Sequence, residues 1–129
     1  MAAERLVSIQ WLAVGGGAAI GAWIRWGLGL ALNASMLPLG TLIANLGGGL
    51  LMGMAIAYFA STSAQDPTRL LVMTGFLGGL TTFSAFSAET FIFLQKQQYA
   101  WAAAHISSHV VGSLLMTVIG FTLVHYSRS

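Results

Sequence analysis

The chain has 129 residues, 57% of them hydrophobic and 6% charged, against about 25% charged in an ordinary soluble domain. Five basic and three acidic residues give a formal charge of +2 and lie scattered along the chain, so the basic patch that nucleic acid requires and the Lys/Arg cluster that an anionic lipid surface requires are both missing. Cys is absent, which excludes disulfides and thiolate metal sites. This length suits one domain, 1–129, and the composition predicts an all-α membrane protein.

Spanning about 30 Å of hydrocarbon takes roughly 20 helical residues, and charges and turn residues mark out four such segments. The first runs from Leu6 to Leu32. Its start, Leu6 to Val14 followed by Gly15, Gly16 and Gly17, has the outline of a signal peptide. The apolar pattern continues through Ile20, Trp23 and Ile24 without resetting, so the segment is read as a retained helix. Near its end Arg25 can reach the interface while Trp23 and Trp26 sit at headgroup depth. It is either an anchor or a positive charge at a vestibule that concentrates anions.

After a loop at Asn33–Pro38, the second segment runs from Leu39 to Ala60, with Thr41 and Asn45 one helical turn apart on one face. The Asn45 amide offers two N–H donors, which suit a dehydrated anion or a hydrogen bond between helices. Position alone does not separate these.

A loop at Ser61–Thr68 leads to the third segment, Arg69 to Leu94, where Thr74 to Glu89 reads TGFLGGLTTFSAFSAE. A diglycine and hydroxyl residues there predict a break in the helix. Hydrocarbon cannot hydrogen-bond the backbone groups so released, which survive only inside protein or beside a polar cavity. Gly78 and Gly79 are read as the unwound point. Phe83 and Phe86 share a face if the helix has resumed, and aromatic ring edges are electropositive, so they can receive an anion. Thr81, Thr82, Ser84 and Ser87 around them give that reading its weight. Glu89, past the Phe pair, is placed near a mouth, or as a structural partner for a hydroxyl or for Arg25.

The loop Gln95–Gln98 precedes the fourth segment, Tyr99 to His125, in which His105, His109 and Ser113 are spaced by four along one stripe. Such a stripe can hand an ion along or hydrogen-bond between helices. Two His at i, i+4 also suit a metal, but no Cys or nearby acid completes a ligand set. Gly17 with Gly21, Gly49 with Gly53, and Gly75 with Gly79 fit the small-xxx-small pattern of close helix packing in lipid.

Four spans put both termini and the Ser61–Thr68 loop on one side with Arg5, Arg69 and Arg128, leaving Arg25 and Lys96 on the other. Lys/Arg asymmetry normally sets orientation. Three against two leaves almost none, which permits insertion both ways and pairing of opposed copies about a two-fold axis in the membrane plane. No phosphate-binding loop, H-E-x-x-H or G-x-S-x-G is present, so an enzyme would have to rest on an intramembrane Ser and His pair.

Nearly end to end, the chain resembles the CrcB or Fluc family of fluoride channels. The resemblance is carried by GAWIRW (Gly21 to Trp26), GTLIANLGG (Gly40 to Gly48) and GFLGGLTTFSAFSAE (Gly75 to Glu89). It implies a dual-topology antiparallel homodimer in the cell inner (plasma) membrane, with two pores that passively release fluoride trapped after HF has entered and ionised. By the same resemblance Phe83 and Phe86 match the pair whose ring edges contact fluoride, and Asn45 matches the pore amide. Gly78 and Thr81 match the positions whose backbone carbonyls, from both subunits, hold a structural Na+ on the dimer axis. The fluoride pathway so expected includes Thr41, Thr82, Ser84, Ser87, His105, His109 and Ser113, with Arg25 and Glu89 at the vestibule.

Two rivals remain at this level. An exporter of the small multidrug resistance type needs an acid in its first helix, and Leu6 to Ile24 has none. A non-transporting assembly subunit would conduct no ion.

The sequence departs from the family twice: Ala85 stands where a Thr hydroxyl is usual, and His105 and His109 stand where Tyr and Ser are usual. Imidazole titrates near neutral pH, so fluoride flux is expected to change between about pH 5.5 and 8. A liposome flux assay across that range checks it, and flat flux would sink it.

Overall fold

The structure, a computed structural model, describes residues 1–34 and 36–129; Ser35, within the predicted Asn33–Pro38 loop, lies outside the described residues. Among the described residues every regular element is helical, and four spans are long and apolar enough to cross a membrane: Ala2–Leu32, Leu39–Tyr58, Pro67–Gln95 and Tyr99–Ser127. The chain is thus a multi-pass membrane protein. Outward-facing Trp11, Trp23 and Trp26 are each at least 65% exposed, as suits side chains whose solvent is lipid.

Local chemistry explains where the third span starts and stops. Asp66 caps its start by accepting from the N–H groups of Thr68 at 2.9 Å and Arg69 at 3.1 Å, with Pro67 at the first helical position. Residues Leu70–Leu77 form wide π-helical turns, a form that is rare and common at functional sites. At the far end Gln97 is left-handed at φ 56°. Its N–H donates to Leu94 O at 3.0 Å and that of Gln98 to Phe93 O at 2.9 Å, the paired closure of a Schellman turn. That turn sends the fourth helix straight back along the end of the third span.

Glycine pairs set the packing. The first helix lies against 67–80, and the second against the fourth. A Cβ at Gly17 would sit 2.7 Å from Phe76 N, and one at Gly79 would sit 2.9 Å from Ala18 Cα. At the other interface a Cβ on Gly49 would lie 2.8 Å from Ser113 O, and one on Gly53 would lie 2.7 Å from Phe121 N. All three sequence pairs therefore work as close-approach surfaces. Between the two helix pairs Leu77, Leu80, Ala44, Ala55 and Phe59 are buried in one apolar cluster.

One sequence expectation needs correction. Gly78 is α-helical, at φ −63° and ψ −36°, and Gly78–Leu80 is a helical turn, so the diglycine is not the unwound point. The extended residues are Thr81 at ψ 152° and Thr82 at φ −148° and ψ 128°; helix then resumes as Phe83–Gln95. Gly79 is glycine because of Ala18, and its backbone has no need of a special conformation.

Gly53→Leu is expected to force the second and fourth helices apart, at a cost of about 1–3 kcal/mol or more, read as a lower thermal midpoint in detergent. Gly15→Ala meets no atom within 4 Å and should leave that midpoint unchanged or slightly raised.

Candidate functional site

Two extended residues in a membrane-spanning helix release backbone groups, and the structure shows where each goes. Thr82 N–H donates to Asn45 Oδ1 at 2.7 Å, and Asn45 Nδ2 donates to Thr82 O at 2.9 Å. The amide thus gives Thr82 the pair of bonds that a neighbouring strand would give. Arg25 Nε donates to Gly79 O at 3.1 Å, so its guanidinium braces the end of the helical turn from inside the first helix. Thr82 Oγ1 accepts from Ala85 N at 3.1 Å and caps Phe83–Gln95.

The interruption deprives the carbonyls of Gly78, Gly79, Leu80 and Thr81 of their usual i+4 donors, and Arg25 stands in for one of them, at Gly79. In an uninterrupted helix Gly78 O would accept from Thr82 N and Thr81 O from Ala85 N. Those N–H groups go instead to Asn45 and to the Thr82 hydroxyl.

The other half of the site forms where Phe83–Gln95 meets the fourth helix. Phe86 is buried, with its ring centroid 5.4 Å from that of His105 and 4.9 Å from that of His109, while the two imidazoles are 4.4 Å apart. Asn45 Nδ2 also reaches His109 Nδ1 at 3.0 Å. Both amide donors are therefore engaged within the chain. Glu89 turns inward: Thr41 Oγ1 donates to its Oε1 at 2.5 Å, and its Oε2 lies 3.3 Å from His105 Nε2. The hydroxyl partner expected for Glu89 is Thr41, and Arg25 is bound elsewhere. The fold also brings an acid to the two imidazoles: Glu89, His105 and His109 place ligand atoms within 4.8 Å of one another.

Open space lies on both sides of this cluster. A cavity of about 350 Å³ is lined by Asn45, Thr82, Phe83, Phe86, His109 and Ser113 among others. A second, of about 280 Å³, is lined by Asn33, Glu89, Lys96 and Gln98. Most of the polar residues picked out in the sequence are thus strung along one line, from Ser113 past His109 and His105 to Glu89.

Phe83 and Phe86 touch at 5.4 Å between centroids, but Phe83 is 78% exposed. Ser84 and Ser87 lie exposed beside it; Ser87 Oγ donates to Phe83 O at 2.8 Å, and Ser84 Oγ is 3.2 Å from Thr82 Oγ1. Asn33, in the predicted loop, has a role of its own. It accepts from Gly40 N at 2.7 Å and reaches Thr41 Oγ1 at 3.4 Å, which steadies the hydroxyl on Glu89. Asn33 closes the first helix as its C-cap, six residues before the second helix starts at Leu39, so capping spacing gives no signal for this contact. Thr117, which also lines the larger cavity, falls one helical turn after Ser113 and extends the stripe.

Comparison with known sequences gives a consistent result. The family described as "CrcB-like protein, Camphor Resistance (CrcB)" matches residues 12–121. A protein of Nitrosospira multiformis named fluoride-specific ion channel FluC is 56% identical over 117 residues, covering 88% of this chain and 91% of that one. Proteins of the same name from Aromatoleum aromaticum and Pseudomonas aeruginosa are each 57% identical, over 113 and 112 residues, covering 85% and 84% of this chain and 86% and 88% of theirs.

Asn45→Leu should orphan both Thr82 groups, at roughly 1–3 kcal/mol each. Asn45→Asp keeps an acceptor for Thr82 N–H but loses the donor to Thr82 O and His109 Nδ1 and, when ionised, buries a carboxylate against that carbonyl. Thermal unfolding in detergent should place both variants below wild type; midpoints equal to wild type would show that the amide does not hold the extended pair.

Proposed function

Because the chain belongs to the CrcB family, whose relatives above are named as ion channels and not as enzymes, we propose that it is a fluoride-selective channel that releases cytoplasmic fluoride passively across the inner (plasma) membrane. The observation that carries this reading is the line of hydroxyl, imidazole and ring-edge groups through the helix bundle, with open volume at both ends. Fluoride is small and strongly hydrated, so a selective path has to replace its water with close donors. Thr82, Ser113, the imidazoles and the edges of Phe83 and Phe86 offer such donors, while a larger anion fits them poorly. Relief of fluoride toxicity follows from passive release whenever fluoride is more concentrated inside.

The conducting unit in this proposal is an antiparallel homodimer with two pores. A Phe ring that is 78% exposed next to the cavity fits a path whose second wall comes from another copy, and the near-even distribution of Lys and Arg fits insertion in both orientations. Gly78 and Thr81 are the residues that would hold a structural Na+ at the centre of that dimer. Their carbonyls are among those that lose their helical donors at the interruption, and carbonyl oxygen is a suitable ligand for a hard cation. A cation held there supplies a fixed positive charge that favours anions nearby. Arg25 and Asn45 shape the site from this chain by fixing the backbone on either side.

Fluoride efflux from liposomes holding the purified protein, read with a fluoride electrode after valinomycin, is expected to be fast, with no chloride release. Phe83→Ile and Phe86→Ile keep bulk and remove the ring edge, and each should lower flux severely with the dimer intact. Absence of efflux from folded, dimeric wild type would favour the assembly-subunit reading.

A further inference from the structure

The cluster at the centre of the line has a property that anion passage does not explain. Among the described residues, Glu89 Oε2, His105 Nε2 and His109 Nε2 are the buried side-chain atoms that make no well-aligned hydrogen bond, although the first two face each other and pair when His105 is protonated. Orphaned buried polar atoms are rare, and here the residues that own them converge within 4.8 Å. Glu89 Oε2 and His105 Nε2 are 3.3 Å apart, about the separation of two ligands each roughly 2.0 Å from a tetrahedral Zn2+; the full set spreads to 4.8 Å, so it closes on one ion only when the ion draws its ligands in. We propose that Glu89, His105 and His109 form a binding site for a divalent transition metal, and that an ion held there closes the pathway.

The donor set selects the class of ion. Two imidazoles and one carboxylate suit Zn2+, Co2+, Ni2+ or Cu2+, whereas Na+, Mg2+ and Ca2+ favour oxygen alone. Three protein ligands leave a coordination position open, which water or a passing anion would fill. Two of the three ligands are also held in place. Thr41 fixes the remaining oxygen of Glu89 at 2.5 Å, and His105 is flanked by the rings of Phe86 and Phe93.

Access runs through the hollow lined by Glu89, Lys96 and Gln98. Glu89 stands six residues before Gln95 and His105 six after Tyr99, about 9 Å of helix from the turn.

One contact limits affinity. Asn45 Nδ2 donates to His109 Nδ1, so the ring proton of neutral His109 sits on Nε2. Ligation through Nε2 moves that proton to Nδ1 and breaks the Asn45 contact. The ion is therefore a reversible inhibitor, bound more weakly than a structural zinc.

Titration of Co2+ into the purified, untagged chain in detergent tests the site without reference to transport. Intense visible bands of low-coordinate Co2+ are expected, saturating at one ion per chain and displaced by Zn2+. His105→Ala and Glu89→Gln should weaken binding by more than about tenfold, since loss even of an outer-shell partner costs 10–100-fold. Exposed His125 is the control, and His125→Ala should change nothing. No bands with wild type, bands that survive both site variants in folded protein, or bands lost in His125→Ala would each overturn the site.

The closing of the pathway rests on the channel reading. Micromolar Zn2+ should block fluoride efflux, with recovery on chelation, and binding without block would overturn that half. A chain that binds Co2+ but releases no fluoride supports the site and counts against the channel reading alone.

Discussion

Backbone polar groups at membrane depth have no water to bond with, and the side chain of Asn45 is what allows the third span to be interrupted. Its amide meets both the N–H and the C=O of Thr82. With Thr82 held, its hydroxyl is free to cap the helix that follows, and that cap sets the direction of Phe83–Gln95. Phe86 and Glu89 then meet the fourth helix where the two histidines are. A single amide thereby links the irregular backbone to the polar line beside it.

The glycine interfaces do the complementary work. One pair of helices is welded by Gly17 and Gly21 against Gly75 and Gly79, the other by Gly49 and Gly53 against the fourth helix. The third span belongs to the first pair up to Leu80 and faces the fourth helix from Phe83 onward. Thr81 and Thr82 are where it crosses over. Arg25 and Asn45 brace that crossing from the two different pairs, one on Gly79 and one on Thr82.

Much of this was legible in the sequence, because lipid restricts what a chain can do. Segment length and charge gave four spans whose ends fall within a few residues of those observed, and glycine spacing identified the packing faces. The position of the interruption was misread at Gly78 and Gly79. Glycine advertises conformational freedom and close approach alike, and only the neighbouring Ala18 reveals which one is used.

The junction of Glu89 with His105 and His109 was not legible. It depends on how the Gln97 turn sets the fourth helix against the third, and Gln carries none of the usual signal for a left-handed position. That Glu89 follows Phe86 by three residues, and so shares its face, was available from spacing alone.

Backbone packed directly on backbone also has a mechanical side. A side-chain interface can absorb sliding by changing rotamers, but Gly75 and Gly79 have no side chain to rearrange against the first helix. Each welded pair therefore moves as a rigid arm. Strain between the arms has few places to go except the peptide units at Thr81 and Thr82, which makes them a fulcrum. A small tilt of the first helix would be felt there as a turning of carbonyl groups, beside the polar line.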